Sequence, residues 1–304
     1  MAGITKPHSS VNATPWAFIS LAVCMMAGTA SLPHVMMRYF TTPSVRTARR
    51  SVGWSLFFIF LLYSSAPMLA TLSKISLMDP NLATGIIGKS ITEVQALDWY
   101  QNWNQAKLMF VSDFNGNGTL ELNEFFMKGS AVVLATPEIA GLPYVISGLV
   151  AAGGMAAAMS TADGLVLAIS NALSHDVYYK IINPKAETAK RLIVARVLLV
   201  LIGFAGATIA ALEIQGILGS VIWAFDFAMS GLFFPLVLGV WWKRANAPGA
   251  VAGMLLGLIS GTAYLVWVRS GGSGFLGITQ LTFGIVGAAV SLVSICLLYT
   301  SDAA

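Results

Sequence analysis

Apolar residues run in long blocks along this chain, and polar residues collect in the gaps between them. A helix needs about 20 apolar residues to cross a bilayer. Seven runs meet that length, at 15–38, 52–73, 143–173, 191–212, 216–241, 247–268 and 276–299. They predict an all-α, polytopic membrane helix bundle. Short loops join every neighbouring pair but one, the exception being the long polar stretch 74–138. As a sequence the chain thus divides into residues 1–73 with two spans, a loop at 74–138, and residues 139–304 with the remaining spans.

Two of the runs are interrupted. The first contains M-A-G-T-A-S-L-P-H, which sets Gly28 and Pro33 where a helix would otherwise be continuous. Proline removes a backbone hydrogen bond and glycine tolerates non-helical angles. In lipid a loosened turn survives only against protein or a water-filled cavity, and discontinuous helices of this kind build transporter sites. A proline kink with no ligand fits the same residues. The third run, G-L-V-A-A-G-G-M-A-A-A-M-S-T-A-D-G, is made of small residues, so another helix can pack closely on it. Ala157 and Ser160 share a face there, with Thr161 beside them and Asp163 one turn on. Hydroxyls and carbonyls are hard oxygen donors suited to a small cation, and a carboxylate inside a membrane is by default a functional hypothesis. Alternatively, both hydroxyls bond back to carbonyls one turn earlier and Asp163 faces a polar vestibule. Asp226, in W-A-F-D-F-A-M-S of the fifth run, is either an ion or proton ligand or an internally paired acid.

Composition agrees with lipid as the solvent. The 304 residues are 57% hydrophobic and 10% charged, with mean hydropathy +0.77, against about 25% charged in soluble domains. The net charge of +4 does not point to nucleic acid, because the bases are not clustered as a binding stripe. They fall instead in connections: Arg38, Arg46, Arg49 and Arg50, then Lys180, Lys185, Lys190 and Arg191, then Lys243 and Arg244 lie on one side. Lys6, Lys74, Lys89, Lys107, Lys128 and Arg269 lie on the other, mostly in the long loop, where positive charge informs orientation least. The first side is therefore expected to be cytoplasmic, as is the C-terminus, with 74–138 extracytoplasmic, in a cell (inner) membrane. Cys24 and Cys296 sit in separate apolar runs and read as small core residues. The last run is closed only by SDAA, and both ends read as those of a fragment.

G-T-A-S-L-P-H-V-M-M-R-Y-F with its basic loop, together with A-A-M-S-T and S-N-A-L-S-H-D-V-Y-Y-K (Ser170–Lys180), resembles the solute:sodium symporter family, in its acetate-permease-like branch. The resemblance covers roughly residues 16–268. It implies the second half of a leucine-transporter-type inverted-repeat fold, beginning at the broken helix of the second repeat. It implies sodium as coupling ion, held by the Ala157 carbonyl and the Ser160 and Thr161 hydroxyls. The other ligands would come from an N-terminal half that this chain lacks. Substrate would lie against Gly28, Thr29, Ala30 and Pro33. Asp163 is outside the family's general sodium site and stands, with Asp226, as a candidate for ion or proton coupling.

The long loop carries its own motif. D-F-N-G-N-G-T-L-E-L-N-E (Asp113–Glu124) matches the calcium-binding EF-hand loop. Oxygen side chains stand at positions 1, 3, 5 and 9 (Asp113, Asn115, Asn117, Glu121), glycine at 6, a main-chain carbonyl at 7 (Thr119) and a bidentate glutamate at 12 (Glu124). Helical flanks are expected over 98–111 and 121–134, with Leu120 anchoring the loop to its packing partner. An Asn/Gly turn that binds nothing is the plainer reading.

No nucleophile–base pair, phosphate loop or metal cluster argues for an enzyme, and nothing resembles a channel's selectivity filter. The expected function is sodium-coupled uptake of a small organic anion, acetate or another short monocarboxylate. The alternative is a symporter-like sensor module fused to a signalling domain.

Overall fold

The computed structural model describes residues 15–212 and 216–300; the polar stretch 1–14 and the closing 301–304, on which the expectations about the two ends bear, lie outside the described residues. The elements run α1 (Pro15–Ala30), α2 (Pro33–Phe40), α3 (Val45–Met78), α4 (Ile91–Gln95), α5 (Asp98–Gln105), β1 (Met109–Val111), β2 (Phe125–Met127), α6 (Val132–Ile139), α7 (Tyr144–Asn171), α8 (Thr188–Ala211), α9 (Ile217–Ala228), α10 (Phe234–Trp241), α11 (Ala247–Arg269) and α12 (Gly284–Thr300). Two π-helical segments are inserted, Ala172–Ile182 after α7 and Met229–Phe233 between α9 and α10. The chain is all-α and polytopic. Among the described residues, six apolar helical stretches are long enough to cross a membrane.

The seventh expected span is shorter than its apolar run. Residues 276–299 yield a helix of 17 residues that starts only at Gly284. The polar residues before it are used otherwise: the Thr282 hydroxyl accepts from the Thr279 backbone N–H at 2.8 Å and holds a turn. The second span is longer than expected, at 34 residues, or about 50 Å at 1.5 Å per residue. That exceeds a hydrocarbon core of about 30 Å, so the Arg46–Arg50 turn and the Lys74 end reach beyond it. Ser44 caps α3 by accepting from the Thr47 backbone N–H.

The chain forms two compact units, residues 1–41 with 166–304, and residues 42–165. In the second of these, the loop region folds over a core of Leu77, Ile86, Val94, Tyr100, Met109, Leu120, Ala135 and Ile139. Polar tethers fix it: Ser73 and Thr136 share a hydrogen bond of 2.8 Å, and the Trp103 indole donates to Glu138 at 2.9 Å.

In the other unit, α11 and α12 pack on the π segment Met229–Phe233, and α1 packs on α9. The packing is close because α11 carries buried glycines one turn apart, Gly249, Gly253, Gly257 and Gly261. Asn246 caps this helix by accepting from the Gly249 backbone N–H at 2.9 Å. Cys24 is buried as expected, but Cys296 is exposed on α12 and is not a core residue.

Apolar side chains on α3, α7 and α8 point outward without cover from the rest of the chain, among them Trp54, Phe58, Leu149, Val200 and Phe204. Exposed apolar side chains along a long helix are what a lipid-facing helix presents.

Candidate functional site

The first interrupted run is broken in the structure. α1 ends at Ala30, and α2 begins with Pro33 as its first residue, where a missing N–H costs nothing. Ser31 is buried in the turn, donating to the Ala27 carbonyl at 2.7 Å and approaching that of Gly28 at 3.1 Å. The residues expected to meet substrate do not share one environment. Thr29, Ala30 and Pro33 are exposed, whereas Gly28 is buried against α9. A methyl group on Gly28 would stand 2.5 Å from the Phe225 carbonyl oxygen, so this glycine is where two backbones cross. The Thr29 hydroxyl is spent on the Met25 carbonyl at 2.6 Å.

On α7 the structure gathers one small oxygen patch. Ser160 and Thr161 both donate to the Ala157 carbonyl, at 2.9 and 3.3 Å. This is the back-bonding that the sequence allowed. It also places one carbonyl and two hydroxyl oxygens side by side on an exposed part of the helix. Asp163 is exposed one turn further on. The helix then passes into its π segment, where Asp176 accepts from Lys180 at 3.0 Å and Arg191 lies over the Tyr179 ring at 4.0 Å. The break in α1 belongs to one compact unit and the Ala157–Asp163 patch to the other.

The outer motif stands on a β-hairpin rather than between two helices. α5 ends at Gln105, and β1 pairs antiparallel with β2, Met109 opposite Met127 and Val111 opposite Phe125. The helical flanks expected over 98–111 and 121–134 are therefore corrected to strands next to the loop. The physical reason is the cross-strand pair of Phe110 and Phe126, stacked at 4.8 Å. Within the loop, Asp113 accepts from the Gly116 and Gly118 N–H groups at 2.8 and 3.1 Å, both glycines having positive φ. The Asn115 side chain accepts from the Asn117 N–H, and that of Asn117 from the Thr119 N–H and hydroxyl. Glu121 accepts from both asparagine amides.

Glu124, 2% exposed, accepts from the Phe114 and Glu121 N–H groups at 3.0 Å each. Leu120 is buried as expected, exchanging backbone hydrogen bonds with Gly88 and Lys89. Among the described residues no three His, Cys, Asp or Glu side chains converge as metal ligands.

Asp226 is wholly buried in α9. The sequence alone did not reveal what surrounds it, because Cys24 and Gly284 are brought to it from opposite ends of the chain. An acid inside a long apolar run was the one legible signal.

Apolar spans with polar interruptions define this chain as part of a multi-pass membrane protein. Within it, residues 128–257 match the model of the sodium:solute symporter family. The chain is 44% identical over 251 residues to an uncharacterised symporter of Cupriavidus necator, a match covering 82% of this chain and 36% of that protein. It is 28% identical over 245 residues to a monocarboxylic acid transporter of Corynebacterium glutamicum, covering 80% of this chain and 37% of that one. The chain thus spans little more than a third of the length of these relatives. The matched stretch contains α7 with Ala157, Ser160, Thr161 and Asp163, and also Asp226; the Asp113–Glu124 loop and the α1 break lie outside it.

Proposed function

We propose that the protein containing this chain is a sodium-coupled symporter that imports a small organic anion, acetate or another short monocarboxylate, by alternating access. The observation that carries the reading is the α7 patch, a carbonyl and two hydroxyls held together inside the matched stretch. Neutral hard oxygens suit a small monovalent cation, so Ala157, Ser160 and Thr161 fit as part of a sodium site. The fold reading is the second half of a leucine-transporter-type inverted repeat, and the remaining sodium ligands would come from preceding helices of the same transporter. Thr29, Ala30 and Pro33 at the α1 break would face substrate, with Gly28 setting the crossing on α9. The Corynebacterium glutamicum relative, by its name, supports a monocarboxylate.

For orientation we keep the cytoplasmic assignment of the basic connections. Lys128 is exposed next to β2, so a Lys128→Cys variant is expected to react with an impermeant maleimide added from outside intact cells. Labelling only from the cytoplasmic side would reverse the topology.

The Asp113–Glu124 loop is further proposed to bind calcium through Asp113, Asn115, Asn117, the Thr119 carbonyl, Glu121 and Glu124, as a clamp on the outer loop. Asparagines in place of aspartates mean fewer charges, so binding is expected in the weak extracellular range, with Kd about 10⁻⁴–10⁻³ M. Calorimetric titration of the purified protein should show that heat, and Glu124→Gln should remove most of it. Equal heats from the two proteins would exclude the loop as the site.

A further inference from the structure

One carboxylate of the helix bundle has no use in the reading above. Asp226 is 0% exposed, and neither of its carboxylate oxygens has a donor in hydrogen-bonding geometry. Its environment comes from several elements of one compact unit. α1 presents the buried Cys24 thiol, and Phe283 with Gly284, the first residue of α12, approaches from the other side. Gly284 is needed there, because a methyl group on it would stand 2.9 Å from Asp226 Oδ1. The hydroxyl of Ser230, one turn along, goes to the Asp226 main-chain carbonyl at 2.8 Å and leaves the carboxylate alone.

Few charged or titratable groups face this point. α9, the π segment and α10 carry none besides Asp226 itself. Cys296 of α12 is exposed, and more than three turns from Gly284. On α11, Tyr264 donates its hydroxyl to the Ile278 carbonyl, and Arg269 lies over the Trp223 ring at 5.0 Å. Among the described residues no salt bridge reaches the acid. Burial away from water penalises an ionised carboxylate that has no cation beside it, and such a group tends to neutralise instead. The start of α12 favours negative charge, and the Phe283 and Gly284 N–H groups are the ones that act on the carboxylate from there.

We propose that Asp226 is a proton-binding site: its carboxylate takes up one proton when α1, α9 and α12 are packed as here, and gives that proton to water when the junction opens. α1 ends at the break at Ser31–Leu32, and the exchange would accompany the transport cycle and make uptake depend on pH. The second part rests on the symporter reading; the first does not.

The purified complete protein is examined by infrared spectroscopy at mildly acidic pH, where exposed aspartates (about 3.9) are ionised. A carbonyl-stretch band of a protonated carboxyl is expected in the parent protein and absent in Asp226→Asn, whose amide imitates the neutral acid in shape. A parent protein without such a band overturns the site however the variant folds, and so does a band of equal size in the variant. In proteoliposomes under a fixed sodium gradient, the parent's uptake should fall toward alkaline pH while that of Asp226→Asn stays level. Identical pH profiles would overturn the link to transport. Absence of sodium-driven uptake in the parent would strike the symporter reading and leave the infrared result standing.

Discussion

Replacing Ser160 and Thr161 together by alanine in the complete protein abolishes sodium-stimulated uptake while leaving the protein folded. Both hydroxyls lie within 3.3 Å of the Ala157 carbonyl, in a patch that no other side chain covers. Each is one neutral oxygen donor toward a cation. Hydrogen bonds to charged groups are worth about 1.5–3 kcal/mol, and a hydroxyl–cation contact is taken to be of that order. Since 1.4 kcal/mol is tenfold in affinity, each single replacement should weaken apparent sodium affinity about 10–100-fold. The double replacement should put saturation out of experimental reach. Stability should change little, because the hydroxyls are exposed and only bond back to their own helix. Uptake measured against sodium concentration in parent and variants checks this. Unchanged half-saturation in the double variant would remove α7 from the ion site.

The second large effect is structural. Gly257→Val should prevent the correct packing of α11 with α12. A β-carbon at this position collides with the Ser230 carbonyl oxygen and comes within 3.0 Å of that of Gly287. Both neighbours are main chain and cannot swing aside as a side-chain end would. Overpacking costs about 1–3 kcal/mol where side chains can adjust, so the loss here should lie at or above the top of that range. Gly206 of α8, by contrast, has nothing within 4 Å of such a carbon. Thermal unfolding in detergent should therefore show a strongly lowered Tm, or no folded protein, for Gly257→Val, and a Tm close to the parent for Gly206→Ala. Similar behaviour of the two would contradict the packing described.

The helices were legible in the sequence because lipid demands long apolar runs, and the α1 break because glycine and proline act on the backbone locally. The outer loop was half legible. Its glycines and asparagines set a local turn, and that turn formed. Its flanks did not follow, since Met-Phe-Val and Phe-Phe-Met are too short to carry a period, and the stacking of Phe110 on Phe126 decides for a hairpin. The π segments left no mark in residue type. The late start of α12 was hidden by apolar neighbours around Thr279 and Thr282.

At the candidate site, the closeness of Ser160 and Thr161 to Ala157 follows from helical spacing and was readable. The meeting of Cys24, Asp226 and Gly284 follows from tertiary packing and was not. Gly28 shows the limit of a motif most clearly. The residue expected to meet substrate is the one buried where α1 crosses α9, and its exposed neighbours Thr29 and Ala30 remain as the candidates for contact.

The most direct test is uptake of labelled acetate into proteoliposomes holding the complete protein, with and without an inward sodium gradient. The account predicts accumulation that requires the gradient and collapses with a sodium ionophore. Uptake of equal rate and extent in the absence of sodium, or no solute movement under any gradient, would contradict it.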